Sequence, residues 1–297
     1  MTTLLNDNRA ATIAATMSGS RPVAADQLAQ KIIEQHPEAA VMLYGSGISV
    51  LETADATDVL YDFYVIVPSY RQAYKSTFLS LGNAAIPPNV FYVEKSTDQG
   101  LLRAKYAVLS IDHFEKLVSN KTFHSYFWAR FAQPSRFVAG PEALRARIAH
   151  CIGIAVDTFV GRVRGLVPEE ASVNEIWLAG LSRSYKAELR AEAPERVAKL
   201  LEAYGEWPEE VTNLENPVQP NAGLAWRVRS VFGGVLSVLR LLKGTLTFAG
   251  GVDYIAWKVG RHAGFPLPVR DWERRWPFFG APSLARRYYK LKRTQPR

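Results

Sequence analysis

A single cysteine, Cys151, stands in 297 residues. No internal disulfide can form and no multi-cysteine metal site can be built, so a reducing compartment is the default expectation. Histidine is scarce as well, with five in the chain, which leaves little material for imidazole catalysis. No run of about 18 apolar residues is free of charge, the length a membrane-crossing helix needs. The nearest approach, Ser230 to Leu239, is short and flanked by Arg229 and Arg240. No basic stretch precedes an apolar run near Met1, so the start does not read as a secretory signal. Arg9 stands alone until Arg21, a weak match to a mitochondrial presequence. What is present, 48% hydrophobic and 22% charged residues, is the composition of a globular chain and excludes disordered and fibrous classes.

The net charge of +8 is not spread evenly. Residues 251–297 hold 11 Lys/Arg against 3 Asp/Glu, whereas the first 250 residues hold 25 of each. The same stretch carries nine of the 34 aromatics, among them Trp257, Trp272 and Trp276. Basic residues interleaved with aromatic ones suit a surface bearing phosphates over apolar material, an anionic membrane or else a nucleic acid. The competing reading is a solvated terminal helix whose rings pack back on the body.

Along the chain, residues 1–21 are polar and small and read as a mobile arm. Helical spacing over Val23 to Gln35 is followed by Pro37. Ala40 to Tyr44 and Tyr61 to Val67 are rich in β-branched and aromatic residues and predict strands. Arg71 to Leu81 predicts a helix, and Asn89 to Val93 and Lys105 to Leu109 predict two more strands. This alternation implies an α/β domain with a mixed sheet over 22–140. From Asp112 onward the pattern becomes mainly helical, with segments near Asp112 to Val118, Glu142 to Val163, Val173 to Ala191 and Pro194 to Tyr204, and a helical domain is expected over 141–250. Glu206 to Gly223, with Pro208, Pro217 and Pro220, reads as a linker, and 251–297 as a basic, amphipathic tail. Val235 to Leu246 places Val235, Leu239 and Leu242 on one helical face beside Arg240 and Lys243, either an amphipathic surface helix or a core helix.

The local feature that carries chemistry is a buried strand ending at Gly45-Ser46-Gly47, a 13-residue connection, and a second strand that presents Asp62. Small residues admit close backbone approach, and the N–H groups of such a turn form an anion nest. A carboxylate on the next strand can hold Mg²⁺, the logic of nucleotidyltransferases. An ordinary strand-to-helix turn with an Asp at a strand edge fits the same residues. Two carboxylates one residue apart would share a strand face, but the second place is Tyr64. A further ligand must come from elsewhere, with Asp55, Asp58, Glu94, Asp98 and Asp112 available.

Tyr44-Gly45-Ser46-Gly47, then Asp62-Phe63, Val90-Phe91-Tyr92 and Lys105-Tyr106-Ala107-Val108-Leu109-Ser110, resemble the mitochondrial translocator assembly and maintenance family. Ala129-Arg130 with Pro134 and Arg136, Ala179-Gly180-Leu181-Ser182 with Ser184 and Arg190, and Lys243-Gly244 with Ala249-Gly250 extend the resemblance in the same order. Where that family has an acidic pair and Trp-His after the Asp-Phe strand, this chain has Pro68-Ser69-Tyr70-Arg71; in place of an Asn it has Val93, then Glu94.

The resemblance implies a nucleotidyltransferase-type domain followed by a winged-helix-like helical domain. It also implies a Mg²⁺-dependent phosphatidate cytidylyltransferase that makes CDP-diacylglycerol from CTP and phosphatidic acid. Under it, Gly45, Ser46 and Gly47 cradle the triphosphate, Asp62 binds metal, and Lys105 and Arg130 neutralise phosphate charge. Lys243, with Arg240, contacts a substrate, and Arg130 would otherwise pair with Glu115. The protein would sit peripherally on the inner face of a bacterial or mitochondrial inner membrane. Trp257, Lys258, Arg261, Trp272, Arg274, Arg275 and Trp276 would meet the anionic surface, and no nucleic acid is expected. Two alternatives stand beside it: a nucleotidyltransferase with a different acceptor, and a catalytically degenerate binding module.

Overall fold

The computed structural model describes residues 2–45, 48, 56–188, 194–215, 217–247, 252–253, 256, 259–260, 266–275 and 277–294. Five strands form one mixed sheet: β1 (Ala40–Tyr44), β2 (Leu60–Val67), β3 (Asn89–Thr97), β4 (Gly100–Ser110) and β5 (Ser135–Ala139). Their order is β3-β4-β2-β1-β5, with β2 and β4 parallel and the other pairs antiparallel. The strands expected at 40–44 and 61–67 are present. Those expected at 89–93 and 105–109 are longer, because β3 and β4 form a hairpin paired down to Thr97 and Gly100. Gly100 takes φ +126 at its base, a backbone region open mainly to glycine.

Alternation along each strand sorts the side chains onto two faces. Val41, Leu43, Phe63, Val65 and Val108 face α2 (Val23–Gln35), whose Ala25, Leu28 and Ile32 are fully buried. Met42, Tyr64, Ile66, Ala107 and Leu109 face the helices that follow the sheet. These are α5 (Ile111–Val118), α6 (Trp128–Phe131), α7 (Glu142–Val163), α8 (Val173–Ala187), α9 (Pro194–Glu202), α10 (Trp207–Val211) and α11 (Ala222–Thr247). The long α7 buries Ile148, Ile152, Val156, Phe159 and Val163, and shares one apolar cluster with that sheet face. A capping box starts α8: Ser172 Oγ accepts from Glu175 N, and Glu175 accepts from the Ser172 N–H and hydroxyl. Those bonds hold the Glu175 carboxyl below its ordinary pKa. At Gly180 a Cβ would lie 2.3 Å from the Phe159 ring, so the missing side chain sets how closely α7 and α8 approach. Cys151 is buried on α7, and burial pushes its thiol up to about 12.

Several expectations are revised. Most of the arm expected at 1–21 is a helix, α1 (Thr2–Ser18). Arg9, Ile13 and Met17 recur at four-residue spacing. The two apolar side chains are buried, and Arg9 pairs with Asp157 on α7 at 2.8 Å. The single helix expected over 71–81 is two, α3 (Tyr70–Ala73) and α4 (Thr77–Ala85). Each has its own serine cap, Ser69 Oγ accepting from Gln72 N and Ser76 Oγ from Leu79 N. The linker expected at 206–223 contains α10, where Trp207 and Val211 are buried. The tail contains α12 (Asp271–Arg275) and α13 (Pro277–Thr294). These two helices are joined by Arg287, which grips Glu273 at 2.7 Å and holds its carboxyl at about 2.

Candidate active site on the sheet face

Register places one polar row across the middle of the sheet. Tyr44 on β1 pairs with Asp62 on β2, Asp62 with Lys105 on β4, and Lys105 with Tyr92 on β3. Two residues further along β2, Tyr64 and then Ile66 belong to the cluster under the helices, so Asp62 lies on that same face where the apolar packing ends. Lys105 Nζ is 3.1 Å from Asp62 Oδ1, and both groups are half-buried. Asp62 Oδ1 is buried and makes no hydrogen bond, so this ammonium is its partner.

The turn after β1 opens directly over this carboxylate. Gly45 takes φ +74, and a Cβ built there would be 3.8 Å from Asp62 Oδ2. Gly45, Asp62 and Lys105, separated by 60 residues of sequence, are therefore brought together. Ser46, Gly47 and Asp55 lie outside the described residues.

Tyr64, in the place of a second strand carboxylate, is fully buried, with its ring 4.7 Å from Tyr44 and 4.6 Å from Phe131. Burial, then the neighbouring Tyr126, holds its phenol well above the ordinary value, so it stays neutral. Of the other acidic residues weighed, Glu94 faces Arg103 at 3.6 Å and accepts from Tyr92 Oη at 2.7 Å. Asp112 pairs with Arg147, Asp98 is exposed in the β3–β4 turn, and Asp58 lies in the 3-10 turn before β2. Among the described residues no three His, Cys, Asp or Glu side chains converge as a metal-binding group.

Arg130 lies behind Tyr44, with its guanidinium 5.5 Å from that ring and 4.7 Å from the ring of Tyr126. Its counter-ion is Glu188, at 2.9 Å, while Glu115 pairs with Arg147. Burial opposes the Arg130 charge, but the Glu188 carboxylate and the Tyr126 and Tyr44 rings around it favour that charge, and its pKa stays well above the ordinary value. Tyr126 is shared: Arg240 stacks 4.0 Å from its centroid. Arg240 Nε donates to Pro87 O at 2.8 Å, and Lys243 Nζ donates to Ile86 O and Pro88 O. Burial, then Arg240, lowers the Lys243 pKa to about 8. Lys243 is thus tied to the segment before β3, and Arg240 links it through one ring to Arg130.

A cavity of about 360 Å³ adjoins Gly45 on the β1–β5 side, lined by Gln133, Arg136, Tyr204, Trp207 and Glu210 among others. Gln133 accepts from Tyr204 Oη at 2.6 Å, and Arg136 keeps one buried guanidinium nitrogen without a hydrogen-bond partner. Tyr126 and Glu188 join the site without having been singled out in the sequence, and Tyr92, quoted there within Val90-Phe91-Tyr92, had been given no role. For Tyr92 the signal was available as strand register opposite Lys105; for Tyr126 and Glu188 no local pattern marks them.

In the tail, Trp272 and Arg275 are exposed, whereas Arg274 is held by Asp253 at 2.9 Å and Asp271 at 2.6 Å. Trp257, Lys258, Arg261 and Trp276 lie outside the described residues. Comparison with models of known protein families gives no match, and no curated protein matches the chain at a significant level.

Proposed function

We propose that the chain is a nucleotidyltransferase acting on CTP with phosphatidic acid as acceptor, forming CDP-diacylglycerol and pyrophosphate. The observation that carries this reading is the Asp62–Lys105 pair set directly beneath the glycine turn at Gly45. The same reading takes the mixed sheet as the nucleotidyltransferase domain and the helices beyond it as a winged-helix-like companion.

In this reaction a phosphatidate oxygen bonds to the α-phosphorus of CTP as the bond to pyrophosphate breaks. The acceptor's second pKa is about 6, so it is already anionic at neutral pH and needs no general base. That suits a site whose polar row holds Tyr, Asp and Lys but no imidazole. The requirement is charge neutralisation and in-line placement. Backbone approach at Gly45 admits the phosphates, and Lys105 supplies a cation at the same point. Tyr44 is backed by the Arg130 guanidinium, whose charge the Glu188 carboxylate balances.

Mg²⁺ is commonly held by one or two carboxylates together with substrate phosphates, and Asp62, whose Oδ1 makes no hydrogen bond but is ion-paired with Lys105 Nζ at 3.1 Å, would supply one such carboxylate. Bound there, the ion would neutralise triphosphate charge. The test is transfer from CTP labelled at its α-phosphate to phosphatidic acid in detergent micelles. Labelled lipid is expected from the intact protein, with a loss of at least about 100-fold in Asp62→Ala and in Lys105→Ala. No labelled lipid from folded protein that still binds CTP would redirect the reading to another acceptor. No CTP binding at all would overturn it.

A further inference from the structure

The outward face of α11 is a line of apolar side chains. Leu224, Val228, Val231, Val235 and Val238 are each between 48% and 71% exposed, and Phe232 and Leu239 widen the line. Steps of four, three, four and three residues keep them on one stripe, which from Leu224 to Leu239 runs about 22 Å at ~1.5 Å per residue. Single exposed apolar residues are ordinary, but a continuous ridge of this length marks an interaction surface.

The opposite face of α11 is fixed to the protein. Trp226 is buried and donates to Arg162 O at 2.8 Å, and a Cβ at Gly233 would meet Ala187 O at 2.7 Å. Arg229 is wholly buried: it donates to Phe123 O at 2.6 Å and lies 4.7 Å from the rings of both Phe123 and Trp226. By length and composition Ala222–Arg240 could cross a bilayer. Anchored in this way along one side, it instead presents its free side like a keel. Phe123, exposed and 6.2 Å from the Phe232 ring, extends the apolar surface, with exposed Lys121 beside it.

Charge selects what covers this surface. Between Glu215 and Asp253 the chain has no acidic residue. Of the four cations in that stretch Arg227 is exposed at the margin of the ridge, as Lys121 is beside Phe123, whereas Arg229, Arg240 and Lys243 are turned toward the protein. A surface of anionic headgroups over hydrocarbon complements both the charge and the ridge. We infer that α11, with Phe123 and Lys121 at its side, is the face by which the protein docks on an anionic phospholipid membrane, with the Leu224–Leu239 ridge seated at the acyl boundary. The same helix carries Arg240 and Lys243 toward the site. Docking through it would lay the headgroup plane along the helix whose inner side carries Arg240 and Lys243, a link to the site that rests on the proposed lipid acceptor.

The test is read without nucleotide, which separates it from the test of the reaction. The full chain is sedimented with vesicles of phosphatidylcholine, with and without phosphatidylglycerol, and its oligomeric state is measured by light scattering. Val231 and Val235 are exposed, so a Val231→Asp/Val235→Asp variant should keep the wild-type circular dichroism spectrum and melting temperature. Expected are binding that requires phosphatidylglycerol and weakens with salt, a loss of about tenfold or more in that variant, and little change in Trp272→Ala. Equal binding by the variant, loss confined to Trp272→Ala, or no binding by wild type would overturn the inference. So would a wild-type dimer that the double variant dissociates, since the ridge would then belong to a second copy.

Discussion

Acid lability at one histidine offers a quantitative check on the packing beneath α11. His124 is half-buried against Phe127, with its ring centroid 5.9 Å away, and its Nδ1 is buried with no hydrogen bond. Burial first, then the nearby charges of Arg240, His113 and Arg229, lowers its pKa from 6.5 to about 3. The folded protein therefore holds the imidazole neutral where the unfolded chain protonates it. The stabilisation is full above the unfolded pKa and is lost as pH falls from 6.5 toward about 3. With these values the residue contributes a loss of ~2 kcal/mol between about pH 8 and about pH 5, approaching ~5 kcal/mol near the folded pKa. His36 and His113 are lowered by burial as well and add to the total, so the quantity to measure is a difference. Urea unfolding followed by tryptophan fluorescence at both pH values, for wild type and His124→Gln, should show the variant losing ~2 kcal/mol less. Equal losses would mean that His124 is protonated inside the fold or is solvated there, and the electrostatic account of this region would fail.

Two further perturbations test other parts of the structure. Glu188→Gln leaves the largely buried Arg130 without its carboxylate and should cost about 3–5 kcal/mol in unfolding free energy; a cost under about 1 kcal/mol would show that the tyrosines alone carry that charge. Gly140→Ala places a Cβ 2.6 Å from Ala40 Cα at a residue with φ +134. It should destabilise by about 1–3 kcal/mol from the backbone alone, read as a lower melting temperature, whereas an unchanged melt would contradict the β1–β5 packing described here.

The sheet was legible where burial imposes a local pattern. Ala40–Tyr44 and the β2 run are apolar enough to announce themselves, and both end where predicted to within a residue. β5 was not legible, since Ser135–Ala139 is short and carries Arg136, and it is a strand because β1 offers it an edge. Helix α1 was hidden for a similar reason. Its weakly amphipathic Ala- and Thr-rich sequence becomes ordered through Ile13, Met17 and the Arg9–Asp157 pair, contacts made to a segment about half the chain away. At the site, the Gly45 and Asp62 positions could be read from the strand–turn–strand pattern, and register then joins Lys105 to them. The neutralisation of Arg130 by Glu188 could not be read, because it depends on how α8 ends against α6 rather than on any spacing in the sequence.

The two faces of the sheet also differ in when they can be completed as the chain is made. Every buried member of the cluster beneath α2 lies between Ala24 and Val138, so that side is whole once β5 has emerged. The opposite cluster reaches from Ile13 to Trp226. At ~5–20 residues per second, the stretch from β5 to Trp226 takes about 4–17 s to synthesise. For that interval α1 and the Met42–Tyr64–Ile66 face wait without their full cover. The same geometry that sets Asp62 at the margin of this late-closing layer makes the candidate site one of the last parts of the molecule to be assembled, and couples its formation to the arrival of the helix that carries Arg240 and Lys243.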